Sequence, residues 1–291
     1  MIKREEKDRN ESLNKEILAK FVNYALASSK IKNIKIKQEA GEYNLRPNIN
    51  LFIYGSIGSS KSTLLNQIAE KTKSKAPYTE LSFPALIGSV DKMTRQLVIG
   101  ASWECRNSLL LLDEFNFAKR NKDDIRALLQ LIEGGKYNRK LASFSAPQEE
   151  IDEDLYYKFE NGEFNIKTRF SLILATMKYP YTSQNQELQA LISRSITLPF
   201  YPSKEVLKKI AQGYSIFNYK DKSPKKENII INKKDYDYIL NYVDKKVEEN
   251  NFLRIVGDCV RIFAIEEEHK TDIYDLIIKF GNKKFQSKKP I

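Results

Sequence analysis

Asn50 to Tyr54 (NLFIY) is an apolar run of strand length that passes without a spacer into GSIGSSKS, Gly55 to Ser62. From Thr63 onward (TLLNQIAEKTK) the apolar residues return at helical spacing. A buried strand, a Gly/Ser loop and a helix in immediate succession form a phosphate cradle. Gly55 and Gly58 let the backbone curl so that successive N–H groups converge, and the helix N-terminus adds its dipole. Lys61 then supplies a cation for the β/γ-phosphates, and Ser62 offers a hydroxyl to Mg²⁺. The candidate nucleotide-binding residues are therefore Gly55, Ser56, Gly58, Ser59, Ser60, Lys61, Ser62 and Thr63. The usual form of this motif has glycine immediately before the lysine. Here Ser60 stands there, which alters the loop slightly if φ is to stay in a permitted region. The rival reading is a Ser/Gly turn with an incidental lysine; the flanking strand and helix favour the cradle.

Three further apolar runs, Leu109 to Leu112, Phe170 to Ala175 and Ile196 to Phe200, are each separated from the next by helical or polar sequence. Strands alternating with helices predict a parallel sheet covered on both faces, a three-layer α/β domain. These runs are strand-sized and far short of the roughly 18 residues of a membrane span. A chain of 291 residues has room for one such domain and a smaller one. The expected division is a helical lead-in over 1–45, with Ile17, Leu18, Phe21 and Ala25 at helical spacing, a core domain over 46–202, and a small helical domain over 203–291. The last follows a Lys-rich connection at 219–235, reads as helices over 236–249, 252–267 and 272–280, and ends in Lys283, Lys284, Lys288 and Lys289. Two hairpins interrupt the core: 86–100, turning at Asp91 to Arg95, and 155–168, with Asn161-Gly162 at its tip.

SLLLLDEF, Ser108 to Phe115, is an apolar strand closed by two carboxylates. Neighbouring side chains on a strand point to opposite faces, so the two have different tasks. Asp113 is assigned to the Mg²⁺ shell and Glu114 to polarising the attacking water.

With loop and carboxylates together, the sequence resembles the AAA+ ATPase superfamily over roughly residues 45–280, and within it the branch with a hairpin inserted in the second helix (MoxR, McrB and minichromosome maintenance proteins). The segment from Gly100 to Tyr137, GASWECRNSLLLLDEFNFAKRNKDDIRALLQLIEGGKY, carries the resemblance through a Gly-Ala before the acidic strand and an "ALLQ…E" helix after it. The 86–100 and 155–168 hairpins match that branch. The resemblance implies an ATP- and Mg²⁺-dependent hydrolase, a P-loop core followed by a helical lid, and a homo-oligomeric ring, a hexamer by family habit. It also implies further site residues. ILATMK puts Thr176 on the fourth strand and Lys178 at sensor 1, where an asparagine is usual; a lysine contacts phosphate as a charge but cannot accept a hydrogen bond from water, and Thr176 is the substitute. LISRS makes Arg194 the arginine finger toward the neighbouring subunit's nucleotide, a task suited to a permanently charged fork. In NFLRIVGDCVR, Arg254 is the sensor 2 candidate, preferred over Arg261 because it lies at the helix start.

The net charge of +11 suits an anionic partner, although a lysine-rich surface also serves solubility alone. The leading reading is a motor on nucleic acid, in DNA replication or a helicase-like role, with Lys92 and Arg95 at the first hairpin tip on phosphates. Against it, the second hairpin is flanked by Asp152, Glu153 and Asp154 and carries Glu160 and Glu163, which repel phosphate. The alternative is a MoxR-like remodeller whose partner is a protein. Cys105 and Cys259 lie far apart, and with the single His269 they cannot build a zinc site or a nucleophilic pair. The charged start, MIKREEKDRNESLNKE, lacks the apolar segment of a secretory signal, so a reducing cytoplasmic setting is expected.

Overall fold

The computed structural model describes residues 15–79, 81–91, 93–94, 96–113, 122–140, 149–153, 155–160, 163–177, 186–215, 217, 224, 226–248 and 251–281. In chain order these form α1 (Lys15–Ser29), β1 (Asn33–Gln38), β2 (Gly41–Leu45), β3 (Leu51–Tyr54), α2 (Lys61–Thr72), β4 (Tyr78–Thr79), α3 (Phe83–Ile87), β5 (Gly88–Val90), β6 (Leu97–Ile99), α4 (Ala101–Glu104) and β7 (Leu109–Asp113). There follow α5 (Lys122–Gly134), β8 (Lys136–Lys140), β9 (Glu149–Asp152), β10 (Leu155–Glu160), β11 (Glu163–Lys167), β12 (Ser171–Thr176), α6 (Gln186–Ser193) and β13 (Ile196–Pro199). The remaining elements are α7 (Lys204–Ala211), β14 (Asn228–Ile231), α8 (Lys233–Asp244), α9 (Phe252–Glu266) and α10 (Thr271–Gly281).

The central sheet has five strands, all parallel, in the order β13-β3-β12-β7-β4. β3, β7 and β12 are buried along their whole length, which is why they read as continuous apolar runs. Their side chains still sort with period two. Leu51, Ile53, Leu109, Leu111, Ile173 and Ala175 join one core with α1, α2 and the helices α8 to α10. Phe52, Tyr54, Leu110, Leu112, Leu172 and Leu174 join a second core with α5, α6 and the hairpin residues Leu155, Tyr157, Phe164 and Ile166. The first cluster is continuous from Leu18 to Phe280, so the helices after residue 232 pack directly onto the sheet's own face.

Two stretches differ from the sequence expectation. Residues 33–45 are a hairpin rather than part of a helical lead-in. Ile34 and Ile36 face inward and alternate with Asn33, Lys35 and Lys37, and β2 returns antiparallel after Gly41 at φ 134°. β14 then joins β1 in parallel, giving a three-stranded sheet β14-β1-β2, so the 203–291 segment contributes a strand as well as helices. The second hairpin likewise lies within a four-stranded sheet, β8-β11-β10-β9. β8 (KYNRK) carries no apolar alternation and was invisible as a strand; it forms because β11 offers a free edge from Glu163 to Lys167. The first hairpin is β5 paired antiparallel with β6, and Asp91 Oδ1 accepts N–H bonds from Met93 and Thr94 at its turn. Those two bonds hold the Asp91 carboxyl below its ordinary range.

Candidate functional site

The loop after β3 lies at the C-terminal edge of the parallel sheet, beside the end of β12. Gly55 N–H donates to the Thr176 carbonyl at 3.3 Å, so the loop starts against the strand that carries Thr176. A Cβ on Gly55 would lie 2.1 Å from the Phe200 carbonyl oxygen, which leaves glycine as the residue that fits. Gly58 has φ 75° and Ser59 N–H closes a turn onto the Ser56 carbonyl at 3.3 Å. The curled backbone begins α2, whose residues Leu64, Leu65 and Ile68 anchor it in the first core.

Lys61 is 7% exposed, and its ammonium donates to the carbonyls of Gly55 (2.9 Å) and Ser56 (2.8 Å) and to Ser59 Oγ (3.1 Å). The cation is thus held in the concavity of the loop, where phosphate oxygens of a nucleotide would compete with those acceptors. Ser62, in the first turn of α2, is exposed and Thr63 half-buried.

Ser60 sits at φ 62°, ψ 33°, the left-handed conformation that the usual glycine would adopt at no cost, and its side chain makes no capping bond. The backbone geometry is therefore kept and the serine carries the strain. For a non-glycine residue that strain is about 1–2 kcal/mol, partly offset because serine leaves the unfolded chain less entropy than glycine does. Ser60→Gly is expected to stabilise the fold by about 0.5–1 kcal/mol in denaturant unfolding. A less stable variant would mean that the hydroxyl makes a compensating contact.

Asp113 ends β7, 7% exposed, with Thr79 of β4 opposite it. β12 lies between β3 and β7, so Lys61, Ser62, Thr176 and Asp113 all belong to one edge of three adjacent strands. Among the described residues no group of three or more His, Cys, Asp or Glu could hold a metal alone. A hydroxyl and one carboxylate at this edge fit Mg²⁺, which takes few protein oxygens and completes its shell with water and phosphate. Glu114, Lys178, Lys92 and Arg95 lie outside the described residues.

Arg194 and Arg254 lie elsewhere. Arg194 follows α6 and precedes β13, whose first residue, Ile196, is level with Leu51 at the start of β3. The Arg194 carbonyl accepts from Asn50 Nδ2 at 3.3 Å. This is the N-terminal edge of the sheet, about five residue steps or roughly 16 Å from Gly55. The guanidinium pairs through Nε with Glu133 on α5, and Nη1 donates to the Ala190 carbonyl and Ser193 Oγ at 2.8 and 3.2 Å. Arg254 is the sensor 2 candidate, expected to open a helix and to contact nucleotide. It opens α9 as expected, but donates to the Ser195 carbonyl (3.3 Å) and the Gly281 carbonyl (2.6 Å), on the same far edge as Arg194. Because α9 and α10 pack on the first core beside β13, the start of α9 meets the N-terminal end of that strand.

The sequence reading passed over Arg46, Glu133 and Asp258, which gather at this edge with Arg194, Arg254 and Arg261. Asp258 lies on α9 four residues after Arg254 and three before Arg261, a pattern the sequence does carry, whereas Arg46 and Glu133 come from separate segments that no local pattern joins to it.

A parallel α/β sheet with a Gly/Ser loop and lysine after one strand and an acidic strand end two places away is the arrangement found in P-loop nucleotide-binding proteins. Residues 51–195 match the family model "ATPase family associated with various cellular activities (AAA)", which supports the AAA+ ATPase superfamily and suggests an ATPase of that type. The matched span runs from β3 to the residue before β13 and contains Lys61, Asp113, Thr176 and Arg194. No curated protein matches the chain. No helix among the described residues is long and apolar enough to cross a membrane.

Proposed function

We propose that the chain is an ATP-hydrolysing AAA+ motor in which each hydrolytic site is completed by a second copy. The observation that carries this reading is the separation of Lys61 and Arg194 on opposite edges of one rigid sheet. A finger that cannot reach its own loop can reach that of a neighbour, and joining unlike edges is a heterologous contact that closes into a ring, here a hexamer by resemblance. The loop N–H groups and Lys61 bind and orient the phosphates. Ser62 and Asp113 hold Mg²⁺, which when bound neutralises charge on the phosphate oxygens. Glu114 accepts a hydrogen bond from the attacking water and polarises it, with Thr176 and Lys178 beside the terminal phosphate. Arg194 of the next copy supplies charge as the bond to the leaving group breaks, and Arg254 acts from the same edge. The segment 203–291 serves as the lid whose motion follows hydrolysis.

The substrate we favour is nucleic acid, on the strength of the +11 net charge. A protein substrate is the second reading, favoured by the acidic β9, which contains Glu149, Glu150 and Asp152. The deciding measurement is the ATPase rate with DNA, with RNA and with neither. We expect a several-fold rise with nucleic acid, and binding that weakens steeply with salt and in the Lys92→Ala/Arg95→Ala chain. Neither binding at low salt nor stimulation would overturn the nucleic-acid reading and leave the protein remodeller.

A further inference from the structure

The N-terminal edge of the sheet holds a polar cleft of about 250 Å³ that a single arginine finger does not explain. Arg46, Arg194, Arg254 and Arg261 line it together with two carboxylates, Glu133 and Asp258, and its other lining residues are uncharged. Each carboxylate is shared. Glu133 pairs with Arg194 and also acts on Arg46, while Asp258 Oδ1 accepts from Arg261 Nη1 at 2.7 Å and its Oδ2 lies 4.0 Å from Arg254 Nη1. Four guanidiniums against two carboxylates leave two positive charges uncompensated among the described lining residues.

Two nitrogens of this group, Arg46 Nη1 and Arg254 Nε, are buried with no hydrogen-bond partner among the described residues. Arg261 Nε donates to the Arg46 carbonyl at 2.8 Å, which fixes these two residues to each other. Burial, and then the repulsion of Arg261, pull the Arg46 guanidinium down to about 9. A desolvated cation that only shares its counter-ion costs stability, and an incoming anion would offset that cost.

We infer that this cleft is a second phosphoryl site, in which Arg46 and Arg261 act with Arg194 and Arg254 to hold a dianionic phosphate group. Guanidinium forks match phosphate oxygens in pairs, and the two uncompensated charges match a dianion, where a carboxylate would balance only one. The inference rests on the reading of Arg194 above only for the source of the phosphate. A nucleotide held by a second copy is one source and free phosphate the other. The first is favoured by two apolar tips, Ile57 on the phosphate loop, 83% exposed, and Leu253 on the rim of the cleft, 76% exposed, which would meet if one copy's loop entered another's cleft.

The test uses the full chain carrying Lys61→Ala, so that its own loop is disabled. Inorganic phosphate is titrated calorimetrically at low salt. One phosphate per chain is expected, weakened about tenfold or more by Arg46→Met and likewise by Arg261→Met. Equal phosphate binding by the Lys61→Ala chain and by the same chain carrying both further substitutions overturns the inference. Arg46→Met is expected to melt at or above the temperature of its parent, because it removes an uncompensated charge and keeps the volume. A melting temperature below the parent's identifies Arg46 as a structural ion-pair partner and counts against the site. In chains with an intact loop, Arg46→Met that lowers kcat with an unchanged nucleotide Kd identifies the neighbour's nucleotide as the source. An unchanged kcat with phosphate binding lost identifies free phosphate; the site stands in both cases. Absence of ATPase activity in the parent would sink the proposed function and leave the phosphate titration readable.

Discussion

Lys61→Ala is expected to weaken nucleotide binding by roughly 100-fold or more, whereas Glu114→Gln keeps it and loses hydrolysis. The lysine already lies in the concavity of the loop, donating to Gly55, Ser56 and Ser59, and a phosphate group would take over some of those bonds. Hydrogen bonds to charged groups contribute about 1.5–3 kcal/mol each, so an ammonium that makes two of them to phosphate oxygens accounts for about two orders of magnitude in affinity or more. Glu114 follows Asp113 at the end of β7 and is assigned to the water alone. An amide of the same shape cannot polarise it, and general-base catalysis contributes about 10²–10⁴-fold. Equilibrium binding of a labelled nucleotide, with turnover measured on the same preparations, separates the two effects. Glu114→Gln with parental turnover would remove the assignment. Lys61→Ala also strips three oxygen acceptors of their donor, so its melting temperature is needed as a control.

The second expected result is complementation. Arg194→Ala should bind nucleotide as the parent does and lose about 10³-fold or more in kcat, the range of an arginine that stabilises transferring phosphate. Mixed with Lys61→Ala chains, it should regain activity. At a hybrid contact the Arg194→Ala copy supplies an intact loop, and the Lys61→Ala copy supplies an intact finger. Neither chain has activity alone, so any recovered rate comes from contacts between them. If mixed assemblies form and no mixing ratio recovers hydrolysis, Arg194 does not act between copies. Its bond to Glu133 and its place below β13 would then be structural.

The position of Arg254 shows what a motif can and cannot say. The sequence located the start of α9 correctly, because NFLRIVGDCVR changes from polar to helical spacing there. Which end of the sheet that helix start would meet depends on how α9 and α10 pack against β13 and α1. That packing joins residues 18 to 280 in a single apolar cluster. Many short-range contacts spread over the whole chain decide it, and none has a local signature. The same holds for β8, a strand by virtue of the edge it adds to rather than its own composition. β1 does carry a local signal in the alternation of Ile34 and Ile36, whereas β2, largely exposed, carries none of its own.

By itself the sequence determined the local structure that depends on neighbours in the chain. The strand, the glycine turn and the helix start of residues 50–63 are legible there, because backbone curvature and helix start are set within a few residues. The apolar runs ending at Tyr54, Asp113 and Thr176 mark buried strands, because a strand covered on both faces is apolar along its length. Tertiary structure alone decided that Thr176 and Asp113 share an edge with Lys61 while Arg194 and Arg254 lie on the opposite one. It also drew Arg46, Glu133, Asp258 and Arg261 into one cleft. Strand order and helix docking set these distances, and both follow from burying two apolar faces at once, a condition on the whole chain that no segment carries.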